Sequence, residues 1–323
     1  MTSEQQTSTH LGEKWDVAIV GGGVAGLSAA LILARARRRV LVLDTGEQRN
    51  RFAPHMHGVL SRDGYSPLQL VEDGRREVRA ADGVITTARV TEARRTGNGF
   101  ELATDAGARI RAGRLIIATG IRDELPPIPG LAEQWGRGVV VCPYCDGFEA
   151  RDSAIGVLAA SVMGLHKAHM LLAYSSMVTV FTALIGPVPD ADLLTLRARG
   201  IRVDDRDISH VVTEAEKLVG FELADGTVVA LDAVFAEPRM IARDDLLRQL
   251  GASNEDTNFG TWTATDATGK TSVDGVWAVG NSANPAALVP VAAASGVTAA
   301  LAIDGELVAE DVRLAMVELE AAS

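Results

Sequence analysis

The clearest pattern of apolar and polar positions lies between Asp16 and Asp44. DVAIV is continuously apolar after its first residue, as expected of a strand buried on both faces. It runs into Gly21-Gly22-Gly23-Val24-Ala25-Gly26. LSAALILARARRR follows with apolar residues at helical spacing, and VLVLD makes a second apolar run. Strand, glycine turn, helix and strand within about 30 residues predict a βαβ unit. A second run of the same shape begins near Ala154, with AIGVL, MGLHKAHMLLAYS and MVTVFT in the same order. At a displacement of 138 residues, Val17 falls on Ile155, Gly26 on Gly164 and Asp44 on Thr182.

The remaining segments arrange these two units. RFAPHMHG and SRDGYSP read as loops. GVITTARVTEARR, GFELATDAGARI and RLIIATG read as strands. LPPIPG is a proline-rich break suited to a domain junction, and a second junction is expected near AEPRMIARDD. After it, GVWAVGN and PVAAASGVTAALAIDGELVAED predict a strand, a turn and a long helix. The expected fold is α/β, with two Rossmann-like three-layer domains, the second inserted into the first. Residues 1–13 form a tail, 14–125 and 242–323 the outer domain, and 126–241 the insert.

Composition narrows the function. The chain has 323 residues, 47% of them hydrophobic, enough for two cores. A net charge of −11 argues against binding to nucleic acid or to anionic membrane. No stretch near 18 consecutive apolar residues is seen, so no membrane span is expected. The polar start MTSEQQTSTHLGEK lacks the apolar middle of a signal peptide. A cytoplasmic location is expected.

Gly21-x-Gly23-x-x-Gly26 has a mechanical reading. The first glycine makes a tight turn, the second admits a pyrophosphate to the backbone, and the third lets helix and strand pack closely. Free N–H groups at the helix start then meet the phosphate charge. Asp44 ends the second strand, where a carboxylate can accept ribose hydroxyls.

Only two cysteines occur, Cys142 and Cys145, in CPYC. One close pair reads as redox chemistry or metal. Zinc requires four ligands, and no further cysteine exists. His166 and His169 belong to the helix of the second unit, so no metal site is expected. At a helix start the pair would lie within disulfide reach, with its thiol acidity enhanced. Pro143 suits the first turn.

Ala118-Thr119-Gly120 after an apolar strand, and GVWAVGN ending in Asn281, resemble the paired FAD motifs of two-dinucleotide-domain flavoproteins. With CPYCDGFE, the resemblance narrows to the thioredoxin reductase family and covers roughly residues 15–310. It implies that Gly21, Gly23, Val24, Ala25 and Gly26 hold the pyrophosphate of FAD. It implies that Asp44 holds the adenosine ribose with Arg51 nearby, and that Val90 touches the adenine through its backbone. It assigns Asn281 to the ribityl chain, where most of the family has Asp, a mild change because amide and carboxylate can both accept such a hydrogen bond. The helix starting at Val289-Pro290 would point at the flavin ring and stabilise its anionic reduced form. By the same resemblance, Cys145 faces the flavin, Cys142 exchanges with substrate, and Asp146 is the general acid/base.

The second glycine turn is broken. Where a Gly-x-Gly-x-x-Ala/Gly would take NADPH, the chain reads Ala159-Ala160-Ser161-Val162-Met163-Gly164. Where the family places a His-Arg-Arg run for the 2′-phosphate, Thr182-Ala183-Leu184 stands. NADPH is therefore not expected as electron donor. The chain resembles the dithiol oxidase branch of holomycin-, gliotoxin- and romidepsin-type biosynthesis, which keeps the reductase fold. RNRFAPHMHGVLSRDG also resembles that branch, with His55 and His57 either lining the flavin pocket or exposed on a loop. The implied reaction carries electrons from a small-molecule dithiol through Cys142–Cys145 and FAD to O2. The rivals are a thioredoxin reductase fed by NADPH or ferredoxin and a non-catalytic flavin sensor. A homodimer is expected by family analogy alone.

Overall fold

The computed structural model describes residues 14–322, so the expected tail over residues 1–13 lies outside the described residues. The chain opens with β1 (Lys14–Val20), α1 (Val24–Arg35) and β2 (Val40–Asp44). It continues through α2 (Pro67–Ala80), β3 (Val84–Thr87), β4 (Val90–Thr96), β5 (Gly99–Thr104), β6 (Arg109–Ile117) and β7 (Ile121–Glu124). Next come β8 (Val139–Val140), α3 (Pro143–Asp146), β9 (Ile155–Leu158), α4 (Val162–Leu171) and β10 (Val178–Phe181). α5 (Asp190–Ala198), β11 (Arg202–Asp204), β12 (Ile208–Glu214), β13 (Lys217–Leu223), β14 (Val228–Ala230), β15 (Ala233–Ala236) and β16 (Arg239–Ala242) follow. The chain then forms α6 (Asp245–Gln249), β17 (Asn254–Thr257), β18 (Gly260–Thr263), β19 (Val276–Ala278) and α7 (Val289–Ala321).

Two compact units result. Among the described residues, the outer one comprises those up to Arg49, Leu68–Arg122 and those from Ile241. The inserted one comprises Asn50–Pro67 and Asp123–Met240. Asn50–Pro67, expected in the outer domain, thus belongs with the insert.

The outer unit is built on a sheet of order β3-β2-β1-β6-β5-β4, with β19 pairing the second half of β6. Successive residues of β1 alternate between two cores. Val17 and Ile19 face α1 and α7, while Ala18 and Val20 face Phe100, Leu102 and Leu115. Because both faces are covered, the strand reads as a continuous apolar run. α2 was not expected from the sequence. PLQLVEDGRREVRA is rich in charged residues and fully buries only Pro67, Val71 and Val78.

α7 is the long helix expected of PVAAASGVTAALAIDGELVAED, continued to Ala321. Among the described residues it is one helix long and apolar enough, by length and composition, to cross a membrane. Yet Ala292, Gly296, Ala299, Ala300 and Ile303 are buried in the outer core. Its acids pair with the same unit, as Asp304 with Arg38 (2.7 Å) and Glu306 with Lys270 (2.7 Å). Those contacts are those of a core helix.

The inserted unit carries a parallel sheet, β11-β10-β9-β15-β8, and an antiparallel one, β12-β13-β14. Its first βαβ repeats that of the outer unit in register: Val17 pairs with Val40, and Ile155 with Val178.

Candidate active site

In the outer unit the glycine turn links β1 to α1. Gly21 has φ +109°, and a Cβ there would lie 2.3 Å from the Ala118 carbonyl oxygen. A Cβ on Gly26 would lie 2.0 Å from the Gly21 carbonyl oxygen. Both positions therefore exclude side chains. At Gly23 the reason differs, because a Cβ would meet nothing within 4 Å. Gly23 is the N-cap of α1, no side chain caps it, and Val24 and Ala25 begin the helix. A helix start with open space before it and no internal cap suits the pyrophosphate of a dinucleotide.

Asp44 is held in place. It accepts from the Gly22 N–H (2.9 Å) and pairs with Arg75 of α2, a partner that sequence reading did not supply. Ala118, Thr119 and Gly120 follow β6. The Thr119 hydroxyl donates to the Arg243 carbonyl (2.6 Å), and the Gly120 N–H donates to the Ser282 hydroxyl (2.7 Å). Val90 opens β4 opposite Thr104. The Asn281 amide donates to the carbonyls of Asn284 (3.0 Å), Pro285 (3.2 Å) and Ala287 (3.1 Å). A carboxylate has no hydrogen to donate to them. Asn281 is thus more than a mild replacement for Asp: its NH2 shapes the loop and its oxygen remains for a ligand. Val289 and Pro290 form the first turn of α7, which also lacks a side-chain cap.

Arg51 and His57 belong to the inserted unit, where the Arg51 guanidinium lies 4.2 Å from the centre of the Phe52 ring. His55 contacts the Gly64 carbonyl there through Nδ1 (3.1 Å). His57 stands in the thiol site. Its Nδ1 lies 3.3 Å from Asp63 Oδ2 and 3.6 Å from Glu149 Oε1.

The thiols sit on α3, a single turn. Cys142 is its N-cap, in extended conformation, and Pro143 follows at the first helical position. The Cys142 carbonyl accepts from the N–H groups of Cys145 and Asp146, each at 3.1 Å. Neither cysteine is in a disulfide, and both are half-buried. The Cys142 thiol is lowered to about 7, chiefly by its hydrogen bond with the Cys145 thiol. Burial opposes this, while the Cys145 and Tyr144 N–H groups assist. One turn of helix supplies little macrodipole, so these local donors are what ready Cys142 as a thiolate near neutral pH.

Asp146 is pushed up to about 6, first by burial and then by the neighbouring Glu149 carboxylate, with His57 pulling the other way. The Asp63 carboxyl is lowered by the Gly58 N–H (2.8 Å) and then by His57. Lys167, on α4, is brought down to about 8 by burial, against the attraction of Glu237 and of Cys142. Its ammonium donates to the Ala236 carbonyl (2.7 Å). Glu149 and Lys167 were absent from the expected set. Only folding brings them to the pair, although Glu149 lies one turn past Cys145. Among the described residues no group of three or more His, Cys, Asp or Glu could hold a metal ion.

Residues 15–296 match the sequence profile of the family described as pyridine nucleotide-disulphide oxidoreductase. The chain is 34% identical over 313 residues to thioredoxin reductase tcpT of Claviceps purpurea, covering 91% of this chain and 95% of that one. It is 32% identical to thioredoxin reductase sirT of Leptosphaeria maculans, covering 92% and 95%. Among solved structures, HlmI is 42% identical, with a TM-score of 0.91 over 96% of this chain and 97% of that one. An oxidoreductase from Agrobacterium tumefaciens is 39% identical, with a TM-score of 0.86 over 92% and 99%.

Proposed function

We propose that this chain, which belongs to the pyridine nucleotide-disulphide oxidoreductase family, is an FAD-dependent dithiol oxidase that closes a disulfide in a small molecule. The carrying observation is the contrast between its two glycine-turn positions. The outer turn keeps its glycines and an uncapped helix start. The inserted turn reads Ala159-Ala160-Ser161, and the Ser161 hydroxyl accepts from the Met163 N–H (3.1 Å) as an internal cap. A cytoplasmic location fits a chain whose only cysteines form one redox pair.

The chemistry follows from the residues of the thiol site. With Cys142 and Cys145 joined as a disulfide, one thiolate of the substrate attacks Cys142 and Cys145 leaves as thiolate. The second substrate thiolate attacks the substrate sulfur of this mixed disulfide, closes the new S–S bond and releases Cys142. Asp146, ionised above pH about 6, takes a proton from the attacking thiol. Hydrogen bonds from the Cys145 and Tyr144 N–H groups stabilise the Cys142 thiolate as it leaves. Gly21, Gly23, Gly26, Asp44 and Asn281 would hold FAD, which when bound would supply the two-electron acceptor for the thiol pair, with O2 as the final oxidant. Each turnover removes two electrons and two protons from the dithiol and delivers them to O2 as hydrogen peroxide.

Anaerobic mixing tests this reading. A small-molecule dithiol is expected to bleach the yellow flavin, and NADPH to leave it unchanged. Admission of air should then restore the colour with one peroxide per disulfide. Bleaching by micromolar NADPH would return the enzyme to the NADPH-linked reductases. Bleaching by dithiol without peroxide on aeration would favour a ferredoxin-linked one.

The second partner we propose is another copy of the chain. Along α7, Leu301, Val308, Val312, Met316 and Leu319 are exposed. Their spacings of seven, four, four and three residues place them along one face of the helix, where a second helix could pack. Sedimentation is expected to give the mass of two chains, and a single-chain mass at micromolar concentration would refute it.

A further inference from the structure

The broken turn of the inserted unit is occupied. β1 and β6 pair with Val20 opposite Ile117, and β9 and β15 pair with Leu158 opposite Ala236. Since Val20 and Leu158 are equivalent in the two units, the residue after each second strand is equivalent too. That residue is Ala118 in the outer unit and Glu237 in the insert. The turns begin alike: the Gly21 N–H donates to the Leu43 carbonyl at 2.8 Å, and the Ala159 N–H to the Phe181 carbonyl at 3.1 Å. They then diverge. The Glu237 carboxylate accepts from the Ala160 N–H (2.9 Å), from the Ser161 N–H (2.9 Å) and from the Ser161 hydroxyl. It lies against the first turn of α4, since a Cβ on Gly164 would come within 2.7 Å of its Oε2.

We infer that Glu237 is an internal anion in the place of a dinucleotide's pyrophosphate, and that it determines that the inserted unit takes no pyridine nucleotide. A phosphate at a helix start is held by N–H donors and by the positive end of the helix. Here a carboxylate already takes the donors at two successive residues, and its charge repels a second anion. The lost glycines alone leave those N–H groups in place, whereas Glu237 uses them. Lys167 supports the arrangement. Its ammonium donates to the carbonyl of Ala236, one residue earlier, and is attracted to the Glu237 carboxylate. In the outer unit, where Ala118 has no charge to offer, Asp44 anchors only the Gly22 N–H at that turn (2.9 Å).

The inference rests on the oxidase reading, and the experiment separates the two. Binding of inorganic pyrophosphate and of NADPH to the flavin-loaded enzyme is measured by calorimetry, beside anaerobic bleaching by NADPH and by dithiol. The proteins are wild type, Glu237→Ala (which copies Ala118), Glu237→Gln (which keeps the shape), and Glu237→Ala combined with Ser161→Gly. Pyrophosphate affinity is expected to rise by roughly tenfold or more in Glu237→Ala. It should rise further in the double variant, and less in Glu237→Gln, whose amide oxygen still accepts. Flavin content and dithiol bleaching report that each variant is folded. Unchanged affinity in all folded variants, or wild-type binding as tight as theirs, would overturn the inference and leave Glu237 as an anchor of the turn. Bleaching of the wild type by NADPH would instead overturn the oxidase reading.

Discussion

Replacement of either Cys142 or Cys145 by serine is expected to abolish flavin reduction by dithiol, with a loss on the order of 10³-fold or more. The two sulfurs act as one unit. A substrate thiolate needs a disulfide to attack, and a serine in either position prevents that disulfide from forming. Serine keeps nearly the same shape, but its hydroxyl does not ionise near pH 7, where the Cys142 thiol is lowered to about 7. The flavin should remain, because Gly21, Gly23, Gly26, Asp44 and Asn281 belong to the outer unit and the thiols to the insert. The result is read as a flavin-to-protein ratio near that of wild type, with stopped-flow bleaching lost. A variant that keeps wild-type turnover would show that electrons reach the flavin by another route.

The part of this site that was legible in the sequence is the part set by short-range rules. A strand covered on both faces must be apolar throughout, so β1, β2, β9 and β10 stood out, and their common offset of 138 residues reappears as matched register. Gly21 and Gly26 were legible because backbone approaches of 2.3 and 2.0 Å leave no room for a Cβ. α2 was hidden because it is largely solvated, although it delivers Arg75 to Asp44. Asn281 was read as an acceptor, when the surrounding carbonyls require its hydrogens. The approach of His57 to Glu149 was hidden because it forms only when the chain from Asn50 to Pro67 folds with the insert.

Glu237 is the instructive omission. Its signal was present: one strand is followed by Ala118 before Thr119-Gly120, and its counterpart by Glu237 before Pro238. The equivalence becomes visible only when β6 and β15 are known to pair with β1 and β9, because the segments between them differ in length. Loss of glycines at the second turn and gain of a carboxylate there are therefore two changes in one place. The first removes room for a phosphate, and the second takes its donors.

Asp146→Asn is expected to slow dithiol-driven flavin reduction by about 10²–10⁴-fold and to remove an inflection near pH 6 from its rate profile. The carboxyl stands at about 6 against an ordinary value of 3.8, raised first by burial and then by Glu149. In the wild type the rate should climb as pH rises through 6 and the carboxylate becomes able to accept the thiol proton. The amide cannot accept it, so only the substrate's own thiol ionisation should remain in the variant. Stability should move the other way. Below pH about 4 the carboxyl is protonated in both folded and unfolded chains, and the substitution should cost little. Between about 4 and 6 the unfolded chain ionises first, so stability falls as pH rises. Above 6 the folded protein holds a buried carboxylate at a cost on the order of 2–3 kcal/mol. The variant should therefore melt at a higher temperature than wild type at pH 8 and at nearly the same temperature at pH 4. A slower enzyme that is also more stable at pH 8 would identify Asp146 as a group kept for chemistry. An unchanged rate profile, whatever the melting temperature, would remove it from the reaction.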